Sequence, residues 1–540
     1  MLYITIKNIL FLHQFNKVKK MKFIKILLLS MFTLTMAAQT VAKKAPLTDQ
    51  ELKRWSHLDL EKDSIPGMSV DKVYSEFLKN KKSTKVIVAV VDSGVDIDHE
   101  DLKPVIWTNK KEIPNNGKDD DKNGFVDDVH GWNFLGESNN ENLEMTRVLK
   151  KADDGSEVYK KALADYTAKL ADANDLKENV DVLLKADKAV RETLKNDNYT
   201  VSELKDMPSV KFDLYNAKRI MLAYATQNGD SFHDDLKSYQ DYVYDQLDYN
   251  LNKDFNARKL VGDNPEDIND KKYGNNKVYS KKRNDSLHGT HVAAIIAQGR
   301  DNGLGGDGVA DNVEIMPIRA VPNGDEYDKD IALAIRYAVD NGAKVINGSF
   351  GKDYSPHAQW VYDAIKYAAS KDVLIVHAAG NDSKDIDTEP NFPTDDVDGK
   401  EIADNVLTVG ALNYEYGEKV VANFSNYGKR NVDVYAPGVK IYAAIPDNKY
   451  KYLQGTSMAS PNAAGVATLI REYYPNLKAA QVKQILMESG TALNLEVIVD
   501  EKKIQIPFSD ASVSGKIVNA FNALKMAEEM SNAIKKNPKL

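Results

Sequence analysis

Runs of β-branched and aliphatic residues recur along the chain, and the first, Val86 to Val91, ends at Asp92. A continuous apolar run of this length is typical of a strand buried on both faces, as in a parallel sheet. Similar runs occupy residues 313–321, 343–350, 372–381, 406–412 and 432–438, and helical patterns at 331–342 and 360–371 separate some of them. This alternation predicts an α/β fold: a doubly wound, mainly parallel sheet with helices on both faces.

Residues 140–257 interrupt this alternation, because the β-branched runs vanish there and helix formers dominate. Apolar residues three or four apart form a seam typical of one helix face: Leu176, Val180, Leu183, Ala186, Val190 and Leu194. Asp175 with Glu178 resembles a capping box, which predicts a boundary between two helices at this point. We therefore predict an inserted all-α module of about four helices, packed as hairpins or a small bundle. Its charged faces are most simply solvated surface, and binding of an unknown partner through the insert stays open.

The chain before the first strand carries a second kind of pattern. Lys22 and Lys25 precede an apolar stretch that ends at Met36, and small residues follow. This order is typical of a secretory signal, and the stretch is too short for a membrane span. We predict a signal peptide at 21–42 behind a non-native upstream extension at 1–20, with no stable membrane span after cleavage and a secreted or periplasmic protein. The remaining predicted units are an N-terminal segment at 43–80, the α/β domain in two parts at 81–139 and 258–530, and a basic tail at 531–540.

Composition narrows the chemistry. The 540 residues carry a formal net charge of -8, and no long run of Lys or Arg offsets it. Nucleic acid is therefore not the predicted partner. The sequence holds no cysteine, which excludes disulfides, thiolate catalysis and zinc held by cysteine.

Three segments together contain a serine and the two groups that could activate it as a nucleophile. Asp92 ends the first strand, His288 begins an apolar-periodic helix in HGTHVAAI, and Ser457 precedes a small-residue helix in GTSMASP. Taken singly, each is also an ordinary turn or helix-cap residue. Together they supply a hydroxyl, an imidazole to take its proton and a carboxylate to orient the imidazole. Asn381, at the end of another strand, is placed to donate a hydrogen bond to a developing oxyanion, and its alternative role is that of a turn residue.

The segments VVDSGVDIDHEDL, HGTHVAA, NGSFG, HAAGND and GTSMASP resemble the subtilisin-like serine peptidases, the subtilases, over about residues 81–134 and 258–490. The resemblance implies a secreted endopeptidase that cleaves polypeptides through an acyl-enzyme. It makes Asp92 the orienting acid, His288 the general base, Ser457 the nucleophile and Asn381 an oxyanion donor. It also implies a primary specificity pocket and a substrate-pairing edge formed by Ser349, Phe350, Gly351, Ala378, Ala379 and Gly380. The alternative is a catalytically silent protein of this fold that binds peptides or a partner.

The sequence departs from the family pattern at two places. Asp92 and His288 stand 196 residues apart, and the helical insert accounts for most of this separation. The insert is therefore expected near the active-site face, where a lid, a specificity filter and a docking surface are the open alternatives. Gly348 replaces a residue that is usually larger, and Phe350 replaces a usual Leu, so the preference of the pocket is open.

An acidic loop follows the first strand. Asp119, Asp121 and Asn123 alternate in NNGKDDDKNGFVDD, and Asp127 follows. Alternating oxygen ligands around a turn glycine resemble the first nine positions of an EF-hand loop, although His130 stands where the twelfth-position Glu belongs. Because similar segments occur in other subtilases, a structural Ca²⁺ held by these four residues is predicted, with a solvated acidic loop as the alternative. By the same resemblance, Asp101 and Asn302 mark a weaker second calcium site.

Overall fold

The computed structural model describes residues 46–208, 211–500 and 502–537. The predicted upstream extension at 1–20 and the predicted signal peptide at 21–42 lie outside these residues, as do residues 538–540 of the predicted tail. Among the described helices, none combines the length and the apolar character needed to cross a membrane.

The fold is built on a large sheet that the apolar runs form. The strands are, in chain order, β1 (Val86–Asp92), β2 (Trp132–Asn133), β3 (Val313–Arg319), β4 (Val345–Gly348), β5 (Leu374–Ala378), β6 (Asp396–Val397), β7 (Lys400–Glu401), β8 (Val406–Leu412), β9 (Val434–Pro437), β10 (Ile441–Ile445), β11 (Lys449–Leu453), β12 (Thr491–Ala492), β13 (Glu496–Val499), β14 (Ile504–Pro507) and β15 (Lys516–Ile517). Nine of them form one sheet in the order β12-β15-β9-β8-β5-β4-β1-β3-β2. Its pairings are parallel except β12 with β15, so the predicted mainly parallel sheet is confirmed.

Helices cover both faces of this sheet, and further helices form the insert. They are, in chain order, α1 (Asp49–Arg54), α2 (Leu60–Asp63), α3 (Val70–Lys72), α4 (Glu144–Lys150), α5 (Glu157–Leu194), α6 (Val201–Asp206), α7 (Phe212–Asn228), α8 (Phe232–Asp245), α9 (Arg258–Val261), α10 (Leu287–Ala297), α11 (Asp328–Asp340), α12 (Ala358–Ser370), α13 (Thr456–Tyr473), α14 (Ala479–Glu488) and α15 (Ala520–Lys536). Helices α10, α13, α14 and α15 pack on one face, while α11 and α12 pack on the other. The fold is therefore the predicted doubly wound α/β architecture.

Strand β1 shows why the sheet is buried on both sides. Its side chains alternate between the two hydrophobic cores: Val88 and Val90 belong to one, and Ala89 and Val91 to the other. All four are at most 1% exposed. A strand whose two faces are both apolar needs a layer of helices on each side, and β1 therefore ends with Asp92 in the interior of the protein.

The segment before β1 is part of the α/β domain. The sequence predicts a separate, polar and mixed segment at 43–80, but Trp55, Ile65, Met68 and Val70 are at most 1% exposed and pack into the larger core. The indole N–H of Trp55 also donates to the carbonyl oxygen of Val439 at 3.0 Å. These apolar residues follow neither helical nor strand periodicity, which is why the pattern gave no sign of their burial.

The inserted module is helical, as predicted, but its division into helices differs. Helix α5 runs unbroken for 38 residues, so the boundary predicted at Asp175 and Glu178 is wrong. Both side chains are exposed, and no Gly or Pro stands between them to end the helix. Helices α5 to α8 enclose their own core, whose most buried members include Val180, Tyr199, Leu204, Met221, Phe232 and Val243.

The first residues of the predicted basic tail at 531–540 belong to the last described helix. Helix α15 extends to Lys536, and Ser531 within it is fully buried. The basic tail predicted from residue 531 therefore begins inside the last helix. The lysines near the end of the chain suggested a boundary at residue 531, but the buried face of α15 continues past it.

Candidate active site

Asp92 and His288 meet at the centre of the sheet. Asp92 is the last residue of β1, and His288 is the second residue of α10, which packs against that strand. Nδ1 of His288 lies 2.7 Å from Oδ1 of Asp92. Because an ionised carboxylate can only accept, Nδ1 carries the proton and Nε2 remains the basic nitrogen. The approach of α10 requires Gly289, since a Cβ there would lie 2.2 Å from the carbonyl oxygen of Gly94.

The environment of the pair favours a charged imidazole. The side chain of Asp92 is 1% exposed and that of His288 is 38% exposed. Burial disfavours the imidazolium, but the charge of Asp92 and the hydrogen bond outweigh it, so the pKa of His288 is raised above its ordinary value. His288 is therefore suited to accept a proton and to hold it beside a buried negative charge.

Ser457 is the second residue of α13, which packs against both α10 and β1. Its hydroxyl contacts the carbonyl oxygen of Ser349 at 3.5 Å. Within the described residues, no hydrogen bond joins this hydroxyl to His288. Catalytic hydrogen bonds are often long or poorly aligned in structures without substrate. The structure thus brings Asp92 and His288 into contact, while the Ser457 hydroxyl contacts Ser349.

Two hydrogen-bond donors remain open beside Ser457. Oδ1 of Asn381 accepts from the backbone N–H of Thr456 at 2.8 Å and from its hydroxyl at 2.9 Å. These contacts fix the amide orientation and leave Nδ2 without a partner among the described residues. The backbone N–H of Ser457 is likewise unpaired there, as expected in the first turn of a helix. The positive end of α13 and the Asn381 amide therefore offer two donors to one anion.

A cavity of about 320 Å³ adjoins Ser457 and Asn381. Four of the six residues predicted for substrate binding line it: Phe350, Gly351, Ala378 and Gly380. Ser349 and Ala379 do not line it, because both are buried and the Ser349 hydroxyl donates to the carbonyl oxygen of Ser457 at 2.9 Å. Among the lining residues that the sequence missed, three belong to the insert: Leu143, Met145 and Lys169.

The two departures from the family pattern near this cavity compensate each other. A Cβ at Gly348 would lie 3.1 Å from the Phe350 ring, so the larger ring uses space that the glycine leaves. The imidazole of His377 packs edge-on against this ring at 5.8 Å between centroids, and its Nε2 lies 2.8 Å from the Phe350 carbonyl oxygen. The position of Phe350 is therefore fixed from two sides.

The acidic loop gathers carboxylates, and two of the predicted ligands, Asp119 and Asp121, are among them. Ligand oxygens of Glu112, Asp119 and Asp121 all lie within 4.8 Å of one another. Oε2 of Glu112 is buried and has no hydrogen-bond partner in the described part of the chain. Burying such an oxygen is costly unless a proton or a cation compensates it. Three carboxylates with one buried, unused oxygen fit a hard cation such as Ca²⁺.

The other predicted ligands are turned toward the loop backbone. Asp127 accepts the backbone N–H groups of Asn116 and Gly117 at 3.1 and 2.8 Å. Oδ1 of Asn123 accepts the N–H of Phe125 at 2.8 Å. Both residues therefore accept hydrogen bonds from the loop backbone, and Asp127 is not among the three carboxylates that converge. Glu112 was missed because it precedes the alternating pattern that drew attention to the loop.

The predicted second site consists of two residues that bond to each other. Nδ2 of Asn302 donates to Oδ1 of Asp101 at 2.6 Å, and the backbone N–H of Gly299 donates to the same oxygen at 2.9 Å. Within the described residues, the one carboxylate cluster of metal-binding geometry lies in the acidic loop.

The chain is similar in sequence to known proteases. The chain is 44% identical to the thermophilic serine proteinase of Bacillus sp. (strain AK1) over 34% of its length and 42% of that protein. It is 36% identical to the cell wall-associated protease of Bacillus subtilis (strain 168) over 40% of its length and 22% of that protein. Identity to subtilisin DY of Bacillus licheniformis is 39% over 38% of this chain and 71% of that protein. Residues 83–503 match the subtilase family, and the chain therefore belongs to that family.

Proposed function

We propose that this chain is a secreted serine endopeptidase that hydrolyses peptide bonds through an acyl-enzyme at Ser457. The observation that carries the proposal is the hydrogen bond of 2.7 Å between Nδ1 of His288 and the buried carboxylate of Asp92. This contact fixes the tautomer in which Nε2 is free to take a proton from a serine hydroxyl. Ser457 stands at the start of a helix packed on the helix of His288, which supports its role as the nucleophile.

Acylation begins when Oγ of Ser457 attacks the carbonyl carbon of the peptide bond. The hydroxyl proton passes to Nε2 of His288, a C–O bond forms, and the carbonyl electron pair moves onto oxygen. The resulting oxyanion accepts hydrogen bonds from the N–H of Ser457 and from Nδ2 of Asn381. Asp92 stays ionised and stabilises the imidazolium.

The intermediate collapses as the C–N bond breaks. His288 gives its proton to the leaving amine, so the first product departs as a neutral amine and an ester to Ser457 remains. A water molecule then attacks this ester while His288 accepts its proton. Cleavage of the ester C–O bond releases the carboxylic acid, and the proton on His288 returns to Ser457.

The substrate is an extended polypeptide. The backbone groups of Gly351 have no hydrogen-bond partner within the described residues, so the edge that contains Ser349 and Gly351 can accept a peptide strand. The adjoining cavity then receives the side chain that precedes the cleaved bond. The predicted signal peptide at 21–42 supports action outside the cytoplasm, in a secreted or periplasmic protein.

A structural Ca²⁺ in the acidic loop is the second part of this proposal. Glu112, Asp119 and Asp121 would hold it, because their oxygens converge and one Glu112 oxygen has no other described partner. The ion would neutralise the repulsion among these carboxylates and so stabilise the loop that precedes β2.

Labelling with a fluorophosphonate tests the proposed activity. The purified protein should be labelled, Ser457→Ala should not, and the matched variant Ser370→Ala, on the exposed face of α12, should react like wild type. Mass spectrometry of the labelled peptide then locates the adduct. Unlabelled, well-folded wild type that still binds peptides would support the catalytically silent alternative.

A further inference from the structure

The entry to the insert is built into the substrate cleft. Its backbone runs beside the loop after β3: the N–H of Asn323 donates to the carbonyl oxygen of Asn139 at 2.8 Å, and the N–H of Glu141 donates to that of Asn323 at 3.0 Å. This bridge is parallel and continues from Asp325 to Asn142 at 3.3 Å. Backbone paired in this way is held in place, and few of its N–H and C=O groups remain free to hydrogen-bond a substrate.

The start of helix α4 follows this paired segment and lines the cavity. Leu143 and Met145 face the same cavity as Ser457, and Met145 is buried. The next helix, α5, contributes Lys169 to the lining of the same cavity. The insert therefore supplies two apolar side chains and one cation to the space in which a substrate side chain would lie.

Lys169 differs from the other charged residues of the cavity. Lys352 pairs with Glu144 at 2.8 Å, so its charge is compensated. Of the carboxylates, Asp353 lies 2.8 Å from Nζ of Lys384, and Asp382 lies 3.9 Å from the same ammonium.

The third carboxylate of the lining is Asp325, which is hydrogen-bonded to the first helix of the insert. It accepts the backbone N–H of Glu144 at 2.7 Å, beside the cations Arg147 and Lys352. Lys169 is exposed, and no hydrogen bond or ion pair to it occurs within the described residues. Its ammonium is the uncompensated charge of this lining.

We propose that Lys169 is a specificity-determining residue, which selects substrates with Asp or Glu immediately before the cleaved bond. This rests on the proposed serine endopeptidase activity. An acidic substrate side chain in the cavity pairs with the Lys169 ammonium, while a basic one meets the same charge at close range. The apolar side chains of Leu143 and Met145 contact the methylene groups of the acidic substrate side chain.

Three chromogenic peptides that differ only in Glu, Gln or Lys before the cleaved bond test the proposal. For wild type, we expect kcat/KM to be about two- to fivefold higher for the Glu peptide than for the Gln peptide, as for an exposed ion pair. Lys169→Ala should remove this ratio, and Lys169→Glu should reverse it in favour of the Lys peptide. Because the charges are exposed, the ratio should also shrink between 0.01 M and 1 M salt.

The matched control is Lys185→Ala, which removes another exposed cation without a described partner from α5, outside the cavity lining. It should keep the wild-type ratio. The proposal is overturned if Lys169→Ala and wild type discriminate equally, or if wild type prefers the Lys peptide. Fluorophosphonate labelling of each variant is measured first, so loss of the proposed activity itself is recognised separately from loss of discrimination.

Discussion

Nζ of Lys352 lies 2.8 Å from Oε2 of Glu144, and the two side chains are 2% and 7% exposed. Lys352 follows β4, and Glu144 begins the first helix of the insert, so this contact joins the insert to the α/β domain. Arg147 hydrogen-bonds the same carboxylate. Because the charges are out of water, each depends on the others, and removal of one leaves its partners uncompensated.

Replacement of Glu144 by Gln should therefore destabilise the protein. We expect the free energy of unfolding to fall by about 3 kcal/mol, because Lys352 and Arg147 stay buried with one carboxylate fewer. Urea denaturation followed by tryptophan fluorescence measures the change. The matched variant Glu157→Gln, whose side chain is 90% exposed beside Lys160, should change it by less than about 0.5 kcal/mol. Equal effects of the two substitutions would contradict this account of the junction.

The contribution of Glu144 should also depend on pH. Burial raises the pKa of Glu144, but Arg147 and Lys352 outweigh it and lower this pKa to about 2. Since the unfolded chain binds the proton more tightly, the stabilisation is fully present above the ordinary pKa of 4.5 and is lost as pH falls toward 2. The difference in unfolding free energy between wild type and Glu144→Gln should thus be constant between about pH 6 and 8 and should shrink at about pH 3. A difference that grows on acidification would contradict the sign.

The raised pKa of His288 predicts the pH dependence of acylation. Only the neutral imidazole accepts a proton from Ser457, so the labelling rate should fall as pH decreases through this pKa, which lies above its ordinary value. Asp92→Asn removes the charge and should lower both the midpoint and the rate, the latter by about four orders of magnitude in such triads. Rates of fluorophosphonate labelling between about pH 5 and 9 measure both effects. An unchanged midpoint in Asp92→Asn would argue against the pair.

The sequence predicted the parts of the site that local pattern encodes. Asp92 and Asn381 follow buried strands, and His288 and Ser457 begin helices, so each has a recognisable setting within a few residues. Strand ends of a parallel sheet meet at one edge, which places Asp92 and Asn381 there, whereas the contact of Asp92 with His288 depends on the packing of α10 against β1. The contact of the Ser457 hydroxyl with Ser349 was not predictable, because 108 residues separate the two along the chain.

The roles of residues that depend on contacts between distant parts of the chain could not be predicted from the sequence. Lys169 lies on a helix whose pattern shows only a solvated face, and the cavity it lines is formed by segments about 200 and 300 residues later. Glu112 likewise has no local sign of its role, since its partners Asp119 and Asp121 reach it by folding of the loop. Neither periodicity nor motif spacing records such contacts.

Asn381 should affect the rate more than binding. Its Nδ2 is open while Thr456 holds its Oδ1, so the amide is oriented before any oxyanion forms. Asn381→Leu keeps a similar volume and removes the donor, and we expect kcat to fall by about 10²- to 10³-fold with little change in KM. Steady-state kinetics on one peptide measure both constants. A loss confined to KM would place Asn381 in substrate binding instead.

Calcium removal tests the carboxylate cluster of the acidic loop. If Glu112, Asp119 and Asp121 hold Ca²⁺, the ion at a hundred times its dissociation constant adds about 2.7 kcal/mol, and a chelator should lower Tm by about 2 to 3 °C in a chain of this size. Glu112→Gln should abolish most of this difference by removing one carboxylate of the cluster. Asp127→Asn is the informative control, because Asp127 caps the backbone N–H groups of the loop and is not in the cluster. It should lower Tm with and without calcium and leave the calcium-dependent shift in place, whereas a wild-type Tm that ignores the chelator would count against the site.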